Sequence, residues 1–323
     1  MAFRLRIDEP IEKAFRRAGV EQIERARREL TAARNAPATA VHEVRKCLKR
    51  IRALLRLARV GLGDAVFRAE NAHFRAIAAS LSTARDDQVL LETVVKLASE
   101  HGATAGPALG RLKQAVLARR NGAADDSTAE FSDAEAALDR AARRFRRLRI
   151  DPNTFATLEK GLVRNYRKGI AERDRAYAEE TDEAFHEWRK CVQTHWRHMA
   201  LLSRAWPAQF EAHIQGAREL SQLLGDDHDL AMLRDTLATL PADALSREDA
   251  ETIRALVRAH QTALRGAARS HGLMLYAERP KAHGRRIAAI WAAAVHRADE
   301  EDREEEAPAR RARARQLATH ARN

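Results

Sequence analysis

The chain has 323 residues, and its 58 Lys and Arg against 46 Asp and Glu give a formal net charge of +12 at pH 7. This balance favours an anionic partner, such as nucleic acid, an acidic membrane or a phosphate polymer. Aromatic residues are only 5% of the chain, which argues against a protein that stacks nucleobases on aromatic rings. No stretch is apolar enough to span a membrane, so we expect a soluble, cytoplasmic protein with no membrane partner.

Helix-forming residues dominate the chain, which has only 14 Gly and 8 Pro. Because no segment shows sustained strand-like alternation, the sequence predicts an all-α fold. In chain order, helices are predicted over residues 8–34, 39–59, 64–82, 86–100, 105–120, 132–149, 152–179, 182–205, 207–223, 228–239, 246–271 and 283–298. Ser246 is a predicted N-cap, and so are Asp86 and Asp229 at the starts of their helices.

Two nearly identical segments reveal how the chain is organised. Residues 42–47 read HEVRKC, and residues 186–191 read HEWRKC, 144 positions later. A repeat at almost half the chain length predicts an internal duplication. We therefore expect two pseudo-symmetric helical bundles of about six helices each, over residues 1–150 and 151–298, followed by a charged tail over 299–323.

The first repeated segment lies on a predicted helix that has one apolar and one cationic face. The basic residues that follow His42 fall within an arc of about 160° around it, and Val44, Leu48 and Ile51 lie on the opposite side. We expect no acidic residues interleaved on this face, so a polyanion is the simplest reason for its charge. The candidate anion contacts here are His42, Arg45, Lys46, Lys49, Arg50, Arg52 and Arg56.

The second copy is less uniformly basic. Gln193 and Trp196 stand where the first copy has lysine and arginine, although Arg197 and Arg204 return positive charge to the same face. We therefore expect the N-terminal copy to hold anions more tightly. The candidates in this copy are His186, Arg189, Lys190 and Arg197, whereas His195 falls on the apolar side and is predicted to be a core residue.

Further candidate contacts lie in two other basic groups, one before the second copy and one near the end of the second half. The first consists of Arg164, Arg167 and Lys168, and the second of Arg279, Lys281, Arg285 and Arg286. For His42 and His186, the alternative role is to orient a neighbouring acidic side chain. The two cysteines, Cys47 and Cys191, are interpreted as structural thiols of a reducing compartment.

One pair of residues raises the possibility of catalysis. His228 and Asp229 superficially resemble a ligand pair of metal-dependent phosphohydrolases, but Arg85 replaces the histidine in the other copy and no further ligands are evident. No phosphate-binding glycine loop or nucleophile-base arrangement is found. We therefore expect a non-enzymatic protein with no metal and no cofactor.

Taken together, these motifs resemble the CHAD family, the conserved-histidine α-helical domain. The resemblance rests on the paired His-x-x-Arg-Lys helices, the Arg-Asp and His-Asp pairs about forty positions after them, the segment GLVRNYRKG over residues 161–169, and ERPK over 278–281. It implies a pseudo-symmetric pair of helical bundles that binds inorganic polyphosphate on a basic surface, often at polyphosphate granules. The anion contacts that it implies are His42, Arg45, Lys46, Lys49, Arg50, Arg52, His186, Arg189 and Lys190.

Some family members are fused to a triphosphate tunnel enzyme domain. This chain has no Glu-x-Glu-x-Lys motif, so the resemblance does not imply that activity. Other polyanions remain alternative partners, with nucleic acid the main one, and the sequence predicts no particular oligomeric state.

Overall fold

The computed structural model describes residues 3–32, 37–81, 83–121, 127–241 and 243–320. Its helices are α1 (Ile11–Thr31), α2 (Pro37–Leu57), α3 (Arg59–Leu62), α4 (Asp64–Ala79), α5 (Thr83–Asn121), α6 (Ser127–Phe145), α7 (Phe155–Glu179), α8 (Asp182–Leu202), α9 (Pro207–Thr239), α10 (Arg247–Leu275) and α11 (Pro280–His320). Within the described residues there is no strand, so the predicted all-α class is confirmed.

The helix that contains the His-Asp pair differs from the prediction. The segments predicted as separate helices over 207–223 and 228–239 form the single helix α9, so Asp229 lies in its interior and the N-cap prediction is wrong. The helix continues because Asp227 is 2% exposed and accepts a hydrogen bond from Arg265 of α10 at 2.7 Å. This buried, charged hydrogen bond stabilises Asp227 inside a helix that packs on α10, so the polar segment does not form a turn.

Helix α5 likewise joins two predicted helices, but its backbone bends where they meet. His101 leaves helical geometry, with φ −127° and ψ 21°, close to the predicted break. Asp86 lies within α5, so it does not begin the helix, and its side chain lies outside the described residues. The Ser246 cap is confirmed, since its hydroxyl accepts a hydrogen bond from the backbone N–H of Asp249 at 3.1 Å.

The largest apolar cluster draws side chains from both halves of the chain. Phe15 and Ile51 from the first half share it with Leu201, Phe210 and Trp291 from the second. A separate cluster packs Val94 and Leu112 of α5 against α9 and α10. The division into bundles at residue 150 and their pseudo-symmetry stay predictions, as does the boundary of the charged tail, into which α11 continues as a helix.

Helices α2 and α7 approach each other closely at one glycine. A Cβ atom placed on Gly161 of α7 would lie 2.0 Å from the carbonyl oxygen of Leu57 in α2. Only a residue without a side chain permits this crossing. Since α2 also packs on α8, the crossing helps to fix the position of both repeated helices.

Among the described residues, no helix is both long enough and apolar enough to cross a membrane.

Candidate functional site

The two repeated motifs lie on α2 and α8, which pack against each other. A buried hydrogen bond joins them, in which Nε2 of His198 donates to the carbonyl oxygen of Ala53 at 2.9 Å. The arginines of the two helices, together with Arg75 of α4 and Arg218 of α9, form what we call the α2–α8 cationic surface. Its arginines are Arg45, Arg50, Arg52, Arg56, Arg75, Arg189, Arg197 and Arg218.

Three arginines of α2 donate hydrogen bonds to neutral acceptors. Arg45 donates to the carbonyl oxygen of Ala78 at 3.5 Å, and Arg50 donates to the Gln22 side-chain amide oxygen at 3.2 Å. Arg52 donates in the same way to Asn71 of α4, at 3.1 Å. Because these acceptors carry no negative charge, the hydrogen bonds hold the guanidinium groups in place without neutralising them.

Two arginines of the α2–α8 cationic surface, one on each helix, are destabilised in their charged form. Arg197 is only 7% exposed, and burial, followed by the positive charges of Arg50 and Arg56, lowers its pKa to about 9. Burial, together with the charges of Arg56 and Arg75, lowers the pKa of Arg52 to about 10. A polyanion bound here would relieve the repulsion among these groups.

Trp196 holds two of the guanidinium groups. That of Arg197 lies 4.2 Å from the centroid of its ring, and that of Arg218 lies 5.1 Å away, both within the range of cation–π attraction. Trp196 therefore brings guanidinium groups of α8 and α9 together on its ring. In the sequence it is interpreted only as an interruption of the basic pattern.

The second copy reaches across to α9 through Arg189 and His186. A Cβ atom at Gly225 would lie 3.0 Å from Nη2 of Arg189, so this glycine leaves room for the guanidinium group. The rings of His186 and His228 lie 4.1 Å apart between centroids. Burial lowers the pKa of His186 to about 3 and that of His228 to about 4, with contributions from Arg189 and Lys190. Both imidazoles are therefore neutral at pH 7.

Lysines of both copies lie near this surface, and two of them form ion pairs with glutamates of their own helices. Lys46 forms an ion pair with Glu43 at 2.7 Å, and Lys190 forms the equivalent pair with Glu187. The prediction that the basic face has no interleaved acids is therefore wrong, because a glutamate three positions before a lysine faces it on a helix. Lys49 is exposed, and its positive charge contributes to the lowered pKa of His228.

His42 lies at the start of this face, next to Glu43. The hydrogen bond from Lys46 lowers the pKa of the Glu43 carboxyl, with smaller electrostatic contributions from Lys46, Arg25 and His42. The same glutamate accepts a hydrogen bond from Arg25 of α1 at 3.0 Å.

The remaining predicted contacts lie on α7 and on α11, with Arg279 one residue before the start of α11. Lys168 is 3.8 Å from Glu172 and close enough to α8 to help lower the pKa of Glu187, while Arg164 and Arg167 are exposed on the same helix. On α11, Arg286 forms an ion pair with Glu278 at 2.7 Å. The described hydrogen bonds and ion pairs do not join this α11 group to the α2–α8 cationic surface. The exposed members of the group are Arg279, Lys281 and Arg285.

Three residues of the site were not among the predicted contacts: Arg75, Arg218 and His228. Arg75 and Arg218 belong to no repeated motif, and only helix packing brings their charges to α2 and α8. The His-Asp pair drew attention to His228 as a metal ligand, but its ring packs against His186. The sequence signal that could have linked His228 to His186 is spacing: the His-Asp pair follows the second repeated segment by about forty positions, as the Arg-Asp pair follows the first.

A cluster of buried histidines lies where α8 meets α7 and α11. His195, His198 and His283 are each 2% exposed or less, and the ring of His283 stacks on Tyr166 at 4.2 Å. Burial lowers the pKa of all three, to about 4 for His198 and His283. His195 lies in the core, as its helical position predicts. The two cysteines are also buried and free, and burial raises the pKa of both thiols.

This cluster predicts a loss of stability in mild acid. A histidine whose pKa is about 4 when folded and about 6.5 when unfolded binds protons preferentially in the unfolded state between those values. Stability is therefore fully present above pH 6.5 and falls as the pH decreases toward 4. We expect the free energy of unfolding to drop by at least about 2 kcal/mol from pH 7 to 5, measured by urea titration. His283→Gln should reduce this drop, while the control His73→Gln, at an exposed position, should leave it unchanged. An equal drop in the two variants would contradict the prediction.

The model of the CHAD domain family matches residues 17–238, about two thirds of the sequence. The chain belongs to the CHAD domain family. The matched region holds both repeated helices and all of α9 except its last residue, and therefore the whole α2–α8 cationic surface of this CHAD protein.

A solved structure also resembles this CHAD protein, although the sequences have diverged widely. PptA from Streptomyces chartreusis is 15% identical, with a TM-score of 0.58, over 84% of this chain and 100% of that chain. At this identity the likeness shows a shared fold. None of the curated proteins matches the chain.

Proposed function

We propose that this CHAD protein binds inorganic polyphosphate on the α2–α8 cationic surface. The observation that carries the proposal is the set of guanidinium groups held close together, partly buried, with neutral hydrogen-bond acceptors. Burial and the charges of neighbouring arginines lower the pKa values of Arg52 and Arg197. Arginine donates paired hydrogen bonds to phosphate oxygens, and neutralising a polyanion releases its counterions, so a phosphate chain suits this surface.

The depth of the charges favours a thin phosphate chain over a nucleic-acid duplex. Arg197 is 7% exposed, and Arg52 and Arg56 are half-buried. A flexible chain with about one negative charge per phosphate can follow recessed guanidinium groups, whereas a duplex presents its phosphates on a stiff, wide cylinder. In a competition titration at near-physiological salt, we expect duplex DNA not to displace polyphosphate at equal phosphate concentration.

We also propose that the protein acts by binding and not by catalysis. The electrostatic environment of His228 supports this, because the positive charges of Arg189, Lys190 and Lys49 near its ring outweigh the negative charge of Asp182. Such surroundings oppose a metal cation at the His228-Asp229 pair. Polyphosphate should keep its chain length during long incubation with Mg²⁺ or Mn²⁺, and shortening would overturn this part of the proposal. On the same proposal, the protein resides in the cytoplasm at polyphosphate granules.

The binding site is tested by removing one arginine from each copy of the motif. We expect the double variant Arg45→Ala/Arg189→Ala to weaken polyphosphate binding. The slope of log K against log salt concentration should become shallower by about one for each arginine removed, because fewer phosphate contacts release fewer counterions. Binding is measured by titration at several salt concentrations, and circular dichroism checks that both proteins are folded.

The matched control is the double variant Arg143→Ala/Arg247→Ala, which removes the same charge from exposed positions on α6 and α10. It should bind like the wild-type protein. Unchanged affinity in Arg45→Ala/Arg189→Ala, or an equal loss in both double variants, would show that the site is placed wrongly.

A further inference from the structure

A second cluster of chemically active side chains lies between α5 and α10, outside the α2–α8 cationic surface. Glu100 and His101 come from the bend in α5, and His260 comes from the middle of α10. The backbone of His101 departs from helical geometry, so the bend sets the direction of this side chain. Gly102 follows, and Pro107 lies in the first turns of the helix that resumes beyond it.

The three side chains converge on one point. One ligand atom from each, a carboxylate oxygen and two imidazole nitrogens, lies within 4.8 Å of the others. Nε2 of His260 is 3.6 Å from Oε2 of Glu100, and the rings of His101 and His260 meet edge to face at 5.6 Å. Ligands bound at about 2.0–2.1 Å to a tetrahedral ion lie roughly 3.3 Å apart, so small side-chain movements would complete the site.

The surroundings of the cluster suit a cation. A cavity of about 210 Å³ beside it is lined by side chains that include Glu92, Asp226 and Asp229, with Lys96 as the basic member. Lys96 is held by Asp226 at 2.7 Å. On α9, Asp226 and His228 point in directions about 160° apart, so the cavity and the α2–α8 cationic surface use opposite faces of that helix.

We propose that Glu100, His101 and His260 bind a divalent transition-metal ion of the zinc class. Two imidazoles and one carboxylate favour zinc, cobalt or nickel over magnesium or calcium, which take oxygen ligands. Three protein ligands leave a fourth position that water fills from the cavity. The ion would tie the bend of α5 to α10 and so fix the long helix to the second half of the chain. This site is independent of polyphosphate binding, because none of its residues belongs to the α2–α8 cationic surface.

The test uses the untagged full chain, without polyphosphate, which itself chelates metals. Zn²⁺ binding is measured by competition with a chromophoric chelator, and Co²⁺ loading is followed by visible absorption. We expect one ion per chain, a rise in Tm on adding Zn²⁺, and a loss of affinity of at least about tenfold in His260→Gln and in Glu100→Gln.

The control is His271→Gln, which removes a partly exposed histidine from the same helix, α10. This variant should bind Zn²⁺ like the wild-type chain. Circular dichroism separates loss of the site from loss of the fold, and Glu100→Gln provides a second variant at an exposed position. Wild-type affinity in both His260→Gln and Glu100→Gln, or no binding by the wild-type chain, would overturn the proposal.

Discussion

Replacing Arg197 with methionine is expected to stabilise the protein and to weaken its binding of polyphosphate. Arg197 is 7% exposed, and burial and neighbouring arginines lower its pKa to about 9, so folding at pH 7 pays for a desolvated positive charge. Methionine keeps the aliphatic packing and removes the charge. The expected rise in the free energy of unfolding is about 1–3 kcal/mol.

The same charge contributes to anion binding. Its loss should weaken polyphosphate affinity roughly tenfold or more, the usual effect of removing a hydrogen bond or close attraction to a charged group. Urea titration without ligand gives the stability, and a polyphosphate titration gives the affinity. Arg204→Met, at an exposed position just after α8, is the control and should change neither by much. A less stable Arg197→Met protein, or one with undiminished affinity, would contradict the idea that binding offsets the cost of burial.

Of the substitutions proposed, Gly161→Ala is expected to lower the free energy of unfolding most. The added Cβ would lie 2.0 Å from the carbonyl oxygen of Leu57 and 2.8 Å from its carbonyl carbon. These are backbone atoms of α2, so relief requires the whole helix to shift relative to α7. We expect the free energy of unfolding to fall by about 3 kcal/mol or more, measured by urea denaturation.

The control for this prediction is Gly266→Ala in the middle of α10, where an added Cβ meets no atom within 4 Å. There, alanine should stabilise the protein by about 0.5–1 kcal/mol, because it restricts the unfolded chain and favours the helix. If Gly161→Ala raised the free energy of unfolding as Gly266→Ala does, α2 and α7 would not cross as closely as described. Because α2 carries half of the cationic surface, a folded Gly161→Ala protein should also bind polyphosphate more weakly.

Much of the fold could be predicted because helix formation depends on local periodicity. The repeated motifs fall on α2 and α8 as predicted, and His195 is buried where its position on the helix places it. The break near residue 101 and the Ser246 cap are also local features of the chain. Continuation of α9 through Asp227 was missed, because it depends on an ion pair with Arg265, which is 38 positions away in sequence.

The candidate site was predicted only in part for the same reason. Periodicity identifies α2 as a helix with a cationic face, but it does not show that Arg75 and Arg218 bring further charge to it. Nor does it show that Trp196 gathers two guanidinium groups. Such contacts join helices that are distant in sequence.

By itself the sequence determined the all-α class, the two matched motifs and the positive face that each presents, because these follow from residue type and the 3.6-residue period of a helix. Only the tertiary structure decided which charges face one another, which are neutralised and which are buried. Lys46 is paired with Glu43, whereas Arg197 is buried among other arginines. The physical reason is that the energy of a charge depends on its distance from other charges and on its exposure to water, and helix packing sets both.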